Sequence, residues 1–566
     1  MKRIIAIMLV VFLIGSCCGC GKKKPGRNTN SSSSGDSSVV DSGNSSVIDD
    51  TTEITDDGTG YYGSSGSGSA GGQIELAGND IDFDYIDTED EDEEEEEAPK
   101  VKEKSVATLN TNWKGDAKYT TSVSDEQAKA LRNKVLNAKN TAEIYKKQIT
   151  GTIYYVSQNG DNNNKGTSPE EAFYDTDADV FTRNILKEGD AVLFERGWVW
   201  RVTTTIRTRP GVIYGAYGKG NKPSFYASSK NYADPSEWTP SNLKNVWKLT
   251  VADPDIGLIV FDHGEMVGVK KGNGLIALEK NGDYFYNNAQ HVVYFYYDKG
   301  NPGRKFKDIE VGLKMNIFGL QSGSIIDNIC MKYSGAFRIS ARACYDSAVT
   351  NCEIGFIGGA YQDQKDKTRY GNGIQVWNGV INHLIQDNWI YQIYDTGATW
   401  QGKWNDPAGH TDHTFKNISY DSNLFEYCAM SMEFWYDAEQ PTSAQYEKCT
   451  FTNNISRFAG FGFSKQRSDK KGQHIYIGTR EFPNAVECAI TGNIFDLAWT
   501  CMVDWRPNSL SKIGSWNIEK NSWYQCATDD STVMQFGNPY KATNVAELET
   551  AVKILDKDPK EIKWIS

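Results

Sequence analysis

The sequence predicts an all-β fold, a right-handed parallel β-helix spanning about residues 150–540, preceded by a short helix and a disordered linker. Three observations predict it. Short β-branched and aromatic segments separated by glycine and asparagine turns follow one another without long helices. One apolar–polar turn–apolar pattern recurs through "VTNCEI", "LIQDNWIY", "SYDSNLFEY", "FTNNISRF", "ITGNIFDL" and "IEKNSWY". Each recurrence is followed by a second strand-like run, as one coil of a stacked solenoid requires.

The chain opens on Lys2 and Arg3, an apolar run from Ile4 to Ile14, and Gly15-Ser16-Cys17, the layout of an export signal over residues 1–20. The run is too short to cross a bilayer core of about 30 Å. Ile14-Gly15-Ser16-Cys17 resembles the bacterial lipoprotein box, which implies acylation of Cys17; Cys18 and Cys20 are alternatives, as is ordinary cleavage. Lys22 to Lys24 would lie against anionic headgroups and strengthen the anchor. The expected location is therefore the extracellular face of the bacterial envelope.

Residues 21–104 are Ser, Gly, Asp and Glu with few core-forming side chains, so they cannot offset the entropy of ordering. Between Asp82 and Glu97 lie twelve carboxylates, against a formal net charge of −14 for the chain. The folded part is thus near neutral, and nothing basic points to nucleic acid. Residues 105–149 read as a helical lead-in, with Ser124-Asp125-Glu126-Gln127 as a capped start. Residues 541–566 read as a C-terminal tail or helix.

The opening of the folded part, "YYVSQNGDNNNKGTSPEEAF", then "KEGDAVLFERG" and "YGAYGKGNKP", resembles bacterial parallel β-helix proteins related to polysaccharide lyases and glycosidases. The resemblance implies the fold and a polysaccharide partner; it leaves open hydrolysis, β-elimination, or no catalysis at all.

Within the repeat, Cys352, Asn388, Asn423, Asn454, Asn493 and Asn521 follow at intervals of 36, 35, 31, 39 and 28 residues. A bare coil takes roughly 22–25 residues, so the excess leaves as loops. The asparagines are expected at one corner, tolerating left-handed backbone and bonding the next coil. Eight cysteines lie in the folded part without paired spacing, and are expected as buried free thiols.

The second strands read "GIQVW" (373–377), "GATWQ" (397–401), "MSMEFW" (430–435), "GFGFSKQ" (460–466) and "MVDWR" (502–506). If Met430, Met432 and Phe434 point inward, Ser431, Glu433 and Trp435 point outward. Alignment then places Gln375, Trp377, Gln401, Glu433, Trp435, Ser464, Gln466, Asp504 and Arg506 on one outer wall. Indoles for sugar faces, with carboxylates and amides for hydroxyls, suit a carbohydrate site. Glycosidic hydrolysis needs two carboxylates, and Glu433 with Asp504, two coils apart, are the expected pair, with Asp395 and Asp437 able to substitute. Trp377, Gln401, Trp435, Asp437, Arg467 and Arg506 are the expected substrate contacts. A lyase would instead use a base beside a cation such as Lys465, Arg467 or Arg506, with His410 and His413 as imidazoles. The near-neutral body favours neutral sugars and hydrolysis; a non-catalytic carbohydrate-binding surface or adhesin is the other reading. In the folded part no CxxC or HExxH spacing calls for a metal, and the pattern calls for no cofactor and no partner subunit.

Overall fold

The computed structural model describes residues 102–107, 122–174, 185–337, 339–365, 367–403, 414–437, 445–469, 472–478, 484–505 and 515–565. The expected linker up to residue 101, Cys17, Arg506 and the loop bearing His410, Asp412 and His413 lie outside these residues, whereas its last residues are described: Glu103 pairs with Arg201 at 2.7 Å and Lys104 bridges to Trp198. The side chain of Asp437 does too.

Each coil contributes three strands, and strands of successive coils stack in parallel. The first row runs in chain order through Ile153–Val156, Ala191–Glu195, Ile213–Tyr217, Ile325–Asp327, Tyr345–Thr350, Ile381–Gln386, Thr414–Asp421, Thr450–Thr452, Cys488–Thr491 and Trp516–Glu519. The second row includes Glu353–Ile357, the first part of Trp389–Lys403, the first part of Leu424–Asp437, Ile455–Ala459, Ile494–Ala498 and Ser522–Gln525. The third row includes Ile374–Val376, the later parts of the two long strands, Gln473–Ile477, Val503–Trp505 and Thr532–Phe536. This is the expected right-handed parallel β-helix.

Register explains the core. Val349, Ile385, Tyr420, Phe451, Ile490 and Ile518 stand in one first-row column, each residue paired with the next. Ile374, Ala398, Met432, Ile475, Val503 and Met534 form a third-row column. All are buried in one continuous cluster. Like side chains stack at the strand spacing, so each coil buries its apolar face only against its neighbours. The eight cysteines are free thiols, seven of them buried.

The corner before the second row is a ladder of side-chain amides. Asn388 Nδ2 donates to Asn423 Oδ1 at 2.9 Å, Asn423 to Asn454 at 3.0 Å, Asn454 to Asn493 at 3.1 Å, and Asn493 to Asn521 at 2.9 Å. The left-handed backbone, however, belongs to the residue before each asparagine. Asp387, Ser422, Asn453, Gly492 and Lys520 have φ of 56°, 57°, 55°, 71° and 60°. The turn thus aims each amide along the stack instead of using it for the bend.

The helix Asp125–Leu136 lies on the outside of the second row. Ser124 does not cap it: its hydroxyl donates to Asp496 Oδ2 at 2.6 Å. Arg132 Nη2 meets both oxygens of Glu426 at 2.8 Å, and its guanidinium lies 5.0 Å over the Trp389 ring. The expected helix continues only as the single turn Thr141–Ile144.

The sequence reading did not separate out an insertion between Ser224–Tyr226 and Phe318–Leu320. Its strands Val246–Thr250, Ile256–Phe261, Asp283–Asn287, Val292–Tyr296 and Ile309–Leu313 pair antiparallel around their own core of Trp238, Leu249, Phe261, Tyr284 and Phe295. The solenoid resumes across it, because Ser224–Tyr226 pairs directly with Cys330–Ser334.

Candidate functional site

The site grows from the bend where the second row becomes the third. Pairing between Trp389–Lys403 and Leu424–Asp437 shifts register between Ile393 and Thr396. Gly397 allows the bend, since a Cβ there would stand 2.6 Å from the Phe425 ring and 3.0 Å from the Ser431 carbonyl oxygen. Beyond the bend, alternation resumes with Ala398, Trp400, Met432 and Phe434 inward, in the core cluster. Gln401, Glu433 and Trp435 therefore face outward, and so does Thr399.

Pairing places Gln375, Thr399, Glu433, Tyr476, Asp504 and Gln535 in one outward column. Glu433 and Asp504 are two coils apart, as expected, but the residue between them is Tyr476. The segment 460–466 is not a wall strand. Gly462–Gln466 is a 3-10 turn, where the Ser464 hydroxyl donates to the Phe461 carbonyl at 2.9 Å. Gln466 reaches the insertion, donating to the Gly268 carbonyl at 2.9 Å. Gly460 and Gly462, at φ 81° and 69°, break the strand that alternation suggested.

Although this wall faces away from the core, it is covered. Glu433 is 5% exposed, Gln401 6%, Asp504 7% and Trp377 2%. Glu433 is thus not the solvated surface residue that its outward position implied. Its Oε2 accepts from Gln401 Nε2 at 2.6 Å and from Thr396 Oγ1 at 3.0 Å. Gln401 is held in turn by Asn372 Nδ2 and Gln375 Nε2, each 3.4 Å from its Oε1.

Asp395 sits at the bend itself, with its side chain 17% exposed. Arg467, which follows the 3-10 turn, joins Asp395 Oδ1 at 2.5 Å and Asp469 through two contacts of 3.0 and 2.8 Å. Burial opposes the charge on Arg467, but the two carboxylates outweigh it and hold the guanidinium protonated. Arg369 and Arg467 both lie over the Tyr394 ring, at 4.2 and 5.6 Å. The indoles of Trp377 and Trp435 stand 6.2 Å apart at 32°, and the Arg342 guanidinium lies 5.2 Å over Trp377.

The structure therefore brings together Glu433, Asp395, Gln401, Trp377, Trp435 and Arg467, with Asp504 beyond Tyr476. Thr396, Tyr476, Asn372 and Arg342 were missed. Tyr476 was detectable, because "QHIYI" alternates as "MSMEFW" does; Thr396 and Asn372 lie at a bend with no periodicity. Among the described residues no group of three or more His, Cys, Asp or Glu is placed to hold a metal ion.

No family model and no curated protein matches the chain. Solved structures do. A glycoside hydrolase is 9% identical with a TM-score of 0.41, the match covering 73% of this chain and 97% of that one. XylC, in complex with xylose, is 11% identical with a TM-score of 0.34, covering 72% and 86%. An alginate lyase from Paenibacillus sp. str. FPU-7 is 11% identical with a TM-score of 0.29, covering 64% and 94%.

Proposed function

We propose that the protein hydrolyses glycosidic bonds of a polysaccharide, and does so on the outer face of a bacterial envelope, anchored through a lipid on Cys17. The observation that carries the reading is Glu433: a buried carboxylate on an outward wall, fixed by Gln401 and Thr396, beside paired indoles and with further carboxylates at Asp395 and Asp504. Indoles offer apolar faces to sugar rings, amides bind hydroxyls, and a pair of carboxylates supplies the acid and its partner. Trp377, Gln401 and Trp435 would orient the sugar, with Arg467, Asp437 and Arg506 as further contacts.

The test incubates the protein with neutral and uronate polysaccharides and follows both reducing ends and absorbance near 235 nm. Hydrolysis gives reducing ends without that absorbance. Glu433→Gln should lower the rate by about 10²–10⁴-fold, the usual contribution of a positioned proton-transfer group. Unsaturated uronate products would replace hydrolysis by elimination, and binding without products would make the wall a binding surface. The anchor is tested separately by membrane fractionation of Cys17→Ala, which should release the protein to the soluble fraction.

A further inference from the structure

The ends of the strand rows are not all finished alike. At the start of the first row, the Tyr155 N–H donates to the Gly166 carbonyl at 2.7 Å and the Phe173 N–H to the Tyr155 carbonyl at 2.9 Å. At the start of the second row, the Val199 N–H donates to the Glu103 carbonyl and the Ser105 N–H to the Gly197 carbonyl, both at 2.9 Å. The third row ends in Thr532–Phe536, which pairs antiparallel with Asn538–Lys541. Such covers keep a row of free main-chain groups from recruiting another strand.

The end of the second row has no such cover. Its last strand, Glu561–Trp564, pairs in parallel with Ser522–Gln525 on one side. The Ile565 N–H donates to the Gln525 carbonyl at 2.8 Å, so alternation turns the main-chain groups of Glu561 and Lys563 to that same neighbour and those of Ile562 and Trp564 away from it. Among the described residues nothing pairs with that far side. An apolar groove lined by Val123, Val545, Ile562 and Trp564 lies beside it, with Val545 42% exposed.

The other end of the molecule and the charges on the strand limit what fits this edge. A second copy stacked head to tail would need the free side of Val199–Arg201, which Glu103 and Ser105 already hold. Two copies of Glu561–Trp564 pairing antiparallel about a two-fold axis need no other edge. Glu561 and Lys563 lie on one face of the strand, 2.7 Å apart, with side chains 42% and 46% exposed. An axis at Ile562 sets Glu561 opposite Lys563 twice, whereas an axis one residue on sets lysine opposite lysine, and like charges directly opposite are unfavourable.

We propose that this edge is an interface with a second copy of the chain, a partner that the repeat pattern alone did not call for. Glu561–Trp564 of the two protomers pair antiparallel about an axis at Ile562. Ile562 exchanges two main-chain hydrogen bonds with its counterpart, and Glu561 of each protomer meets Lys563 of the other. A strand of four residues makes a small interface, so the dimer is weak and depends on concentration. Being isologous, it closes on itself and does not extend into a fibre.

The test is sedimentation velocity on the full chain from about 1 µM to about 300 µM, under reducing conditions and with Cys17→Ala, so that neither a disulfide nor a shared micelle joins copies. The parent should pass from monomer to dimer and stop there. Lys563→Glu, which gathers four carboxylates about the axis, should weaken the dimer about tenfold or more, and Glu561→Lys combined with Lys563→Glu should restore it to within about threefold. Ile562→Pro removes an N–H that bonds nothing within the protomer, and should abolish the dimer while circular dichroism stays unchanged. Monomer at every concentration, species that keep growing, a dimer indifferent to Lys563→Glu or Ile562→Pro, or a double variant no stronger than the single one overturns the proposal.

Discussion

Every coil turns twice around its second strand, and the two turns are built differently. Entering the strand, five coils place an asparagine that donates to a main-chain carbonyl; the first four also donate to the asparagine ahead, and the last four accept from the one behind. Leaving it, the chain uses Asn372 before one strand and Asp395-Thr396 at the next bend, and Met430 pairs with Thr396 on one side and Gln473 on the other. The repeated corner holds coil to coil. The varied corner is relieved of that task, and there Thr396 and Gln401 converge on Glu433 instead.

The comparison breaks first if the ladder is less important than its regularity implies. Asn454→Leu strips Asn423 of two contacts, at 2.9 Å to its N–H and 3.0 Å to its Nδ2, and also removes the donor to the Tyr420 carbonyl, while Asn493 Oδ1 keeps the backbone N–H of residue 454 at 2.9 Å. Buried groups left unsatisfied cost about 1–3 kcal/mol each, so a loss of about 4 kcal/mol or more is expected in denaturant titration. A loss below 1 kcal/mol would show that the ladder is incidental.

The interior gives a second, smaller effect. His383 and His474 are fully buried, and burial pushes their pKa values down to about 4 and about 3 from 6.5. A folded value below the unfolded one contributes stability that is present above about pH 6.5 and lost as pH falls towards the folded value. Each should therefore cost on the order of 3 kcal/mol between pH 7 and pH 4. His474→Asn should flatten that loss; an unchanged pH dependence in the variant would count against it.

At the varied corner the effects should fall on turnover more than on folding. Thr396→Val removes the hydroxyl between two carboxylates, and should reduce kcat about tenfold while costing about 1 kcal/mol of stability. Glu433→Gln, despite its burial, should cost no more than about 1–2 kcal/mol, because it keeps the shape and loses only the charge-assisted part of two hydrogen bonds. If it melts as early as Asn454→Leu, the wall is structural and the two corners do not differ in kind.

The same contrast explains what the sequence disclosed. Asn388 to Asn521 were visible because each coil restates them, and Met430, Met432 and Phe434 set the facing of Glu433 because alternation is local. The error at 460–466 arose because "GFGF" alternates as a strand does, whereas Gly460 and Gly462 take up left-handed backbone and the strand falls at Gln473–Ile477. Burial of the wall was invisible for another reason: Trp377 is flanked by Arg342 and Trp435, residues brought together by stacking and not by spacing. Nor do the insertion's strands differ in composition from those of the coils; only their antiparallel pairing sets them apart.

The asparagine row also has a direction and an end. Each amide passes hydrogen bonds towards the C-terminus, and after Asn521 the receiver is Asp556, whose Oδ2 takes Asn521 N–H and Nδ2 at 3.2 and 3.0 Å and Trp523 Nε1 at 2.9 Å. A carboxylate receives and hands nothing on. The side-chain relay thus ends on an acceptor at its last rung. In a stack whose every layer is a template for the next, a single change from amide to acid works as punctuation for the side-chain ladder, while the second row itself takes one more strand, Glu561–Trp564, beyond Ser522–Gln525.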